Sequence, residues 1–319
     1  GEAIGAIILL ALAALLKSAQ FPTHGWLTEM METPTPVSAL LHAGIINAGG
    51  FVLIRFADVM LLSPSVLAVI AIIGGFTALF GSIVMLTQSA VKTSLAWSTV
   101  AQMGFMMLQC GLALFSLALL HIVAHSLYKA HAFLSSGEAV ENVTSIRRPG
   151  PIAIPGFRAV GMSFALALAI YTGLGLIFGF DGKTPQAIAL GTILILGIAY
   201  LIAQGMADQA PRTLAVRISV YVVAASVSYF LLQSWAGWLT RNALPPTPAP
   251  GSLEWALIVL AILSFGFVAL AQSLSPLWSN HPAVAGLRVH FANGFYINAA
   301  FDRLLGAWRP RNIHDSSNR

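Results

Sequence analysis

A bundle of transmembrane α-helices, all-α and polytopic, with a discontinuous first helix, is the fold this sequence predicts, on three observations. Of its 319 residues, 57% are hydrophobic and only 8% charged, and the mean hydropathy is +0.83, whereas soluble domains carry roughly 25% charged residues. Apolar stretches recur at the length needed to cross a bilayer, about 20 residues for ~30 Å of hydrocarbon. A lysine, Lys17, and a proline, Pro22, interrupt the first of these stretches within five residues of each other.

The length rule divides the chain into about nine spans, near residues 3–33, 36–57, 65–86, 91–112, 114–136, 158–180, 185–206, 213–235 and 254–274. Turn residues punctuate them: Pro34 and Pro36 before the second, Ser63-Pro64 before the third, and Gly179 to Gly182 after the sixth. Residues 242–251, NALPPTPAPG, should form an extended connector. Residues 1–275 thus form a transmembrane domain, and 276–319 a cytoplasmic or interfacial tail. Within that tail, Leu287–Trp308 is too polar to span, but its aromatics and leucines recur at helical spacing, which suits a helix on the membrane surface or a docking surface for a partner.

Basic residues orient the bundle. The chain has sixteen Lys and Arg. With Lys17 and Lys129 set aside as intramembrane, eleven of the other fourteen, including Lys92, Arg147, Arg148 and the tail arginines, fall on one face. Arg55, Lys183 and Arg241 fall on the other. The positive-inside rule makes the rich face, with the C-terminus, cytoplasmic in a cell (inner) membrane. The net charge of +5 is then a topology signal, and the expected surroundings are membrane lipid, with no nucleic acid. A single cysteine, Cys110, excludes an internal disulfide and a thiolate metal cluster.

Lys17 closes an apolar run that begins at Ala6. A lysine at the bilayer centre costs roughly 2.5–3.5 kcal/mol, so it either snorkels to an interface or is kept for a task. Pro22 cannot continue the helix ladder and places the break at Phe21–Thr23. The carbonyls it frees near Ser18 need polar partners, which at membrane depth means a cavity or buried protein. A broken helix beside an intramembrane amine is a candidate ion site.

The fifth span reads HIVAHSLYKAHAF. Its His121, His125 and Lys129 are each four residues apart, which puts them in one stripe about 80° wide and 12 Å long, with His131 facing elsewhere. Histidine titrates near neutrality and a buried lysine is depressed toward it, so such a stripe can pass protons where an arginine could not. His42 in SALLHAG is either part of the same path or a histidine hydrogen-bonded between packed helices. Glu29 and Glu32, after the break, suit a solvated face. Glu138 is a proton-uptake group or a helix-end charge, and Lys92 a relay lysine or a helix-start charge.

The stretch KSAQFPTHGWLTEMMETPTPVSALLHAG is similar, nearly residue for residue, to the broken helix and following helix of the antiporter-like membrane subunits. These are subunit L of NADH:quinone dehydrogenases, the large subunit of Mrp-type Na+/H+ antiporters, and DabB of two-component inorganic carbon transporters. The wording from Thr23 to Phe51 looks most like DabB. The resemblance carries over Lys17, His42, His121, His125 and Lys129 as relay groups. In it, Lys17 is the switching amine, the histidines shuttle, and Lys129 takes the proton at the far end. It also matches Lys92 to the family's lysine, with Ala90 and Thr93 in place of its acid and arginine. The resemblance implies a C-terminal fragment, with earlier helices and a membrane glutamate outside it. It further implies a large cytoplasmic, zinc-containing DabA-like partner, no cofactor in this chain, and no active site of its own. The span Ser163–Phe180 departs from the pattern: the respiratory and antiporter relatives carry a further lysine or glutamate there, and this chain has only Tyr171.

A reading of another class makes His42 and His125 axial ligands of a haem or metal on two helices. A peptidase reading fails on the sequence, because Ile122 stands where the HExxH helix needs its glutamate.

Overall fold

The structure, a computed structural model, describes residues 2–137, 156–180, 182–205, 212–278 and 281–306, with no strand among them. Helices lie in each of the nine expected spans. Six are long and apolar enough to cross a membrane: Thr35–Arg55, Pro64–Met85, Phe115–Leu134, Phe157–Phe178, Val216–Thr240 and Ser252–Ser273. Ala3–Lys17 and Pro185–Ala199 are shorter apolar helices.

The first helix, α1 (Glu2–Lys17), ends four residues before the expected break. Ala19 takes a left-handed φ of 49°. Its N–H reaches back to the Leu16 carbonyl at 3.4 Å, and the Gln20 N–H to the Leu15 carbonyl at 3.1 Å. This is a Schellman cap with alanine at the position glycine usually fills. The Ser18 carbonyl accepts the Gln20 side-chain amide at 2.7 Å, so the polar partner demanded by the break comes from two residues on. The Phe21 N–H is taken by Thr77 Oγ1 at 3.1 Å. The chain resumes at α2 (Gly25–Glu29) and a 3-10 turn, Met30–Glu32.

The second span is also interrupted, which its length and hydropathy did not foretell. Helix α3 (Thr35–Ala43) passes through a 3-10 turn, Ile45–Asn47, into α4 (Ala48–Arg55), with α5 (Ala57–Met60) after it. Glycine is required at the start of α4, because a Cβ on Gly49 would strike the Ala14 carbonyl and Ser18 Oγ. The two interruptions therefore meet, and the Ser18 hydroxyl donates to the Ile46 carbonyl at 2.9 Å.

Helices α6 (Pro64–Met85) and α7 (Val91–Gly111) form the tightest pair. A Cβ on Gly74 would lie 2.6 Å from the Leu108 nitrogen, and one on Gly81 2.8 Å from the Ala101 nitrogen. Cβ atoms on Gly104 and Gly111 would strike the backbone nitrogens of Ala78 and Ala71. Small residues let the backbones touch, which is how helices pack without a hydrophobic driving force. Helix α7 is buried almost throughout from Ala96 onward, Thr99 and Gln109 included, while Gln102 is exposed. It ends in a second alanine-based Schellman cap: Ala113 has a φ of 57°, and the Leu114 N–H reaches the Gln109 carbonyl at 2.9 Å.

Helix α8 (Phe115–Leu134) packs on α3, α4 and α7. Beyond it stand α9 (Phe157–Phe178), α10 (Pro185–Gly205), α11 (Arg212–Thr240) and α12 (Ser252–Ser273). One core joins α1, α4, α6 and α7, a second joins α6–α8 to α10 and α12, and a third joins α9, α10 and α11. The connector turns back on the Thr240 carbonyl at Ala243 and Leu244 and is free of helix from Pro245 to Gly251, as its prolines require; it is pinned by Thr247 Oγ1 donating to the Ala113 carbonyl at 3.0 Å and Gln186 Nε2 to that of Pro248 at 2.9 Å.

Among the described residues the tail holds three short helices, α13 (Ser275–Trp278), α14 (Pro282–Ala292) and α15 (Ile297–Leu304), the last two joined by a left-handed turn at Gly294–Tyr296. It docks on the bundle end that carries Lys92. Gln88 Nε2 donates to the Ala292 carbonyl at 3.1 Å, Asn298 Nδ2 to Thr28 Oγ1 at 3.1 Å, and the Phe295 ring lies 6.4 Å from that of Phe80.

Because the α6–α7 seam admits no side chain at Gly104, Gly104→Val should cost about 1–3 kcal/mol, the usual range for overpacking. Thermal unfolding of the detergent-solubilised protein, followed by size-exclusion fluorescence, should show a lower Tm for Gly104→Val. Gly173→Ala, where nothing lies within 4 Å, should leave it unchanged or higher.

Candidate functional site

Helix α8 displays its stripe inward where it meets α7. Lys129 is fully buried, and its Nζ donates to the Leu95 carbonyl at 3.0 Å and to Ser98 Oγ at 2.6 Å. Both acceptors belong to the first turns of α7. Hydrogen bonds to a charged group are worth ~1.5–3 kcal/mol each, enough to offset the roughly 2.5–3.5 kcal/mol cost of an intramembrane lysine. Lys129 does not snorkel.

One turn away, His125 is buried, and its ring nitrogens have no hydrogen-bond partner among the described residues. A further turn on, the His121 ring lies 6.0 Å from that of His125, and its Nδ1 is 2.9 Å from Gln109 Oε1. His131 is exposed. On α3, His42 is fully buried and stacks on Phe133 of α8, with ring centroids 4.4 Å apart. Its ring nitrogens are likewise unpaired among the described residues. The order along α8 is therefore His42 and Phe133 at one end, then Lys129, His125 and His121. That order puts Lys129 at the end that carries the tail, and His121 at the other.

Lys17 is not brought into this group. It is exposed at the end of α1, on the same side as Ile8, Leu12 and Leu16. Polar contacts join its neighbourhood to the stripe: Ser18 bonds Ile46, and Asn47 Nδ2 donates to Ser126 Oγ, next to His125, at 3.0 Å. Pro22 lies within the break, though the helix ends before it. Lys92 is half-buried and donates to the Thr33 carbonyl at 2.9 Å, tying the start of α7 to the turn before α3. Glu29 and Glu32 are exposed, as a solvated face requires. Glu138 lies outside the described residues.

Sequence reasoning passed over His24, which is buried in the break and boxed by Phe21, Phe80 and Trp97, with ring centroids 6.0, 5.6 and 5.2 Å away. The signal was present, since a histidine two residues after a helix-breaking proline in apolar sequence is as exceptional as Lys17. Ser98, Gln109 and Asn47 were also missed; single polar residues in a helix reveal a role only when a partner is placed opposite them. Among the described residues no three His, Cys, Asp or Glu gather as metal ligands.

The family model for NADH:quinone oxidoreductase/Mrp antiporter, TM, matches residues 1–199. The chain is 40% identical over 309 residues to the probable inorganic carbon transporter subunit DabB2 of Halothiobacillus neapolitanus (strain ATCC 23641 / c2), covering 96% of this chain and 55% of that protein. It is 38% identical over 299 residues to the probable inorganic carbon transporter subunit DabB of Hydrogenovibrio crunogenus (strain DSM 25203 / XCL-2), covering 94% and 55%. Identity to NADH-ubiquinone oxidoreductase chain 5 of Dugong dugon is 34% over 295 residues, covering 83% and 48%. The chain spans about half the length of these relatives. A multi-pass helical membrane bundle matched over its first 199 residues, it belongs to the NADH:quinone oxidoreductase/Mrp antiporter family.

Proposed function

We propose that the chain is the proton-translocating part of a membrane subunit, in which protons pass along His42, Lys129, His125 and His121 and Lys17 acts as the switching amine. The observation that carries this reading is the buried Lys129 amine, its Nζ held on α7 in line with two histidines one and two turns away. An amine and imidazoles exchange a proton without leaving a permanent charge in the apolar interior. Unpaired buried ring nitrogens on His42 and His125 are the groups water bridges in such a path. Lys92 positions the turn before α3, and hence His42, more directly than it relays.

The gradient would energise inorganic carbon uptake with a large cytoplasmic zinc-containing partner, in a cell (inner) membrane with the tail cytoplasmic. Support comes from relatives named as inorganic carbon transporter subunits, which match nearly the whole chain. A second reading, an antiporter-like subunit of a respiratory complex or Mrp antiporter, has the match to chain 5 in its favour. The lack of a lysine or glutamate in α9 weighs for the carbon-uptake reading. Purification from native membranes separates them: a co-purifying soluble zinc protein supports carbon uptake, and iron–sulfur or quinone-site subunits support the alternative.

Proton flux in everted vesicles should fall at least tenfold in His125→Ala and in Lys129→Arg at matched expression, because a guanidinium does not release its proton in proteins. Normal flux in Lys129→Arg would reduce Lys129 to a structural cation.

Lys17 is tested by the same assay. As a relay amine it fails when replaced by alanine or arginine, whereas a snorkelling lysine tolerates arginine. Near-normal flux in Lys17→Arg removes it from the path.

For orientation, Ser317→Cys should resist an impermeant maleimide added outside intact cells and react after lysis. Labelling from outside would invert the assignment of faces.

A further inference from the structure

Two cavities lie in register along α8, α10 and α11. The first, about 360 Å³, is lined by His121 and His125 together with Gln109, Leu120, Leu190 and Tyr229. The second, about 420 Å³, lies one turn further toward the start of α8 and is lined by Ser116, Ala187, Gln233 and Lys183. Leu117 borders both. Each helix supplies one turn to each cavity: Ser116 and then Leu120 on α8, Ala187 and then Leu190 on α10, Gln233 and then Tyr229 on α11. At 1.5 Å per residue, Ser116 lies about 7.5 Å along the axis from His121. The walls between the cavities are polar in part. The Tyr229 hydroxyl donates to the Ala187 carbonyl at 3.3 Å, and the Ser116 and Thr240 hydroxyls are 2.7 Å apart.

Lys183 sits at the outer mouth, in the turn between α9 and α10. Its Nζ donates to Gln233 Oε1 at 3.0 Å and lies 5.3 Å from the centroid of the Phe230 ring. Burial pushes this ammonium below the usual lysine range, which favours release of its proton.

We propose that the outer outlet of the proton path, its opening on the face away from the tail, runs between α8, α10 and α11, from His121 past Leu117 to Lys183, which is the terminal exchange group. In gradient-driven flow the Lys183 ammonium gives up a proton through water in the cleft to the neutral His121 imidazole, which becomes imidazolium. The Lys183 amine left behind takes the next proton from bulk water and returns to ammonium. This rests on the relay reading above and adds to it where the path meets the outer water.

The test uses the full complex in native membranes. Lys183→Arg keeps a cation and a donor for Gln233 and Phe230, so a structural role predicts normal flux. The outlet predicts at least a tenfold loss in Lys183→Arg and Lys183→Met, with recovery when Lys183→Cys is aminoethylated to a lysine analogue. Leu117→Cys should react with a small hydrophilic thiol reagent applied from the Lys183 side, and labelling should stop whatever flux that variant carries. The native Cys110 is buried and should stay silent. Normal flux in Lys183→Met alongside loss in His125→Ala would overturn the outlet and leave the relay standing. An unreactive Leu117→Cys would also overturn the outlet. Normal flux in His125→Ala would overturn the relay and the outlet with it.

Discussion

The pair of hydrogen bonds that seats the Lys129 ammonium on α7 is the interaction around which the rest is arranged. An amine in the interior of an apolar bundle needs acceptors at fixed places, and here they are a main-chain carbonyl and a serine hydroxyl in the first turns of α7. The carbonyl of Leu95 ordinarily closes the ladder to residue 99, and Thr99 Oγ1 also donates to it at 3.0 Å. The lysine therefore joins an acceptor that is already engaged, so no backbone group is left bare when the side chain moves. Helix α7 in turn is held by α6 through glycines and by Lys92 on Thr33.

Much of this was legible before the structure. Apolar length gave the helices, the prolines marked a connector free of helix though it begins with a turn, and the four-residue spacing put His121, His125 and Lys129 on one face, because a rigid periodicity transfers directly from sequence to geometry. Local exceptions did not transfer. Helix ends at Ala19 and Ala113 were hidden because left-handed caps are normally read from glycine, and alanine stands at both. The interruption at Gly44–Asn47 falls in a stretch long enough to span, where Gly44 and Asn47 gave only a weak signal, and it lies next to the close approach of α1 at Gly49, a tertiary fact. The exposure of Lys17 was equally unreadable, since it depends on what covers that side of α1.

The bundle also divides its labour by packing. Its first part, from α1 to α8, holds the interrupted helices and the buried histidines. Helices α9 to α12 surround this part from one side and bring in Tyr171, Tyr229 and Lys183, whose polar ends meet α10 or α11 near the bundle end opposite the tail. The polar groups thus run from one end of the molecule to the other without any single helix carrying all of them.

The glycine seam between α6 and α7 has a mechanical consequence. Two helices at backbone contact behave as one thick beam: sliding by a residue would press Met103 or Phe105 into the space that Gly104 leaves beside Ala78. The beam locks the height of Leu95 and Ser98. Motion along the polar path is then left to side-chain rotation and to segments 18–24 and 44–47, where the helical ladder is already interrupted. A rigid rail next to two compliant joints lets charge move while the frame stays still.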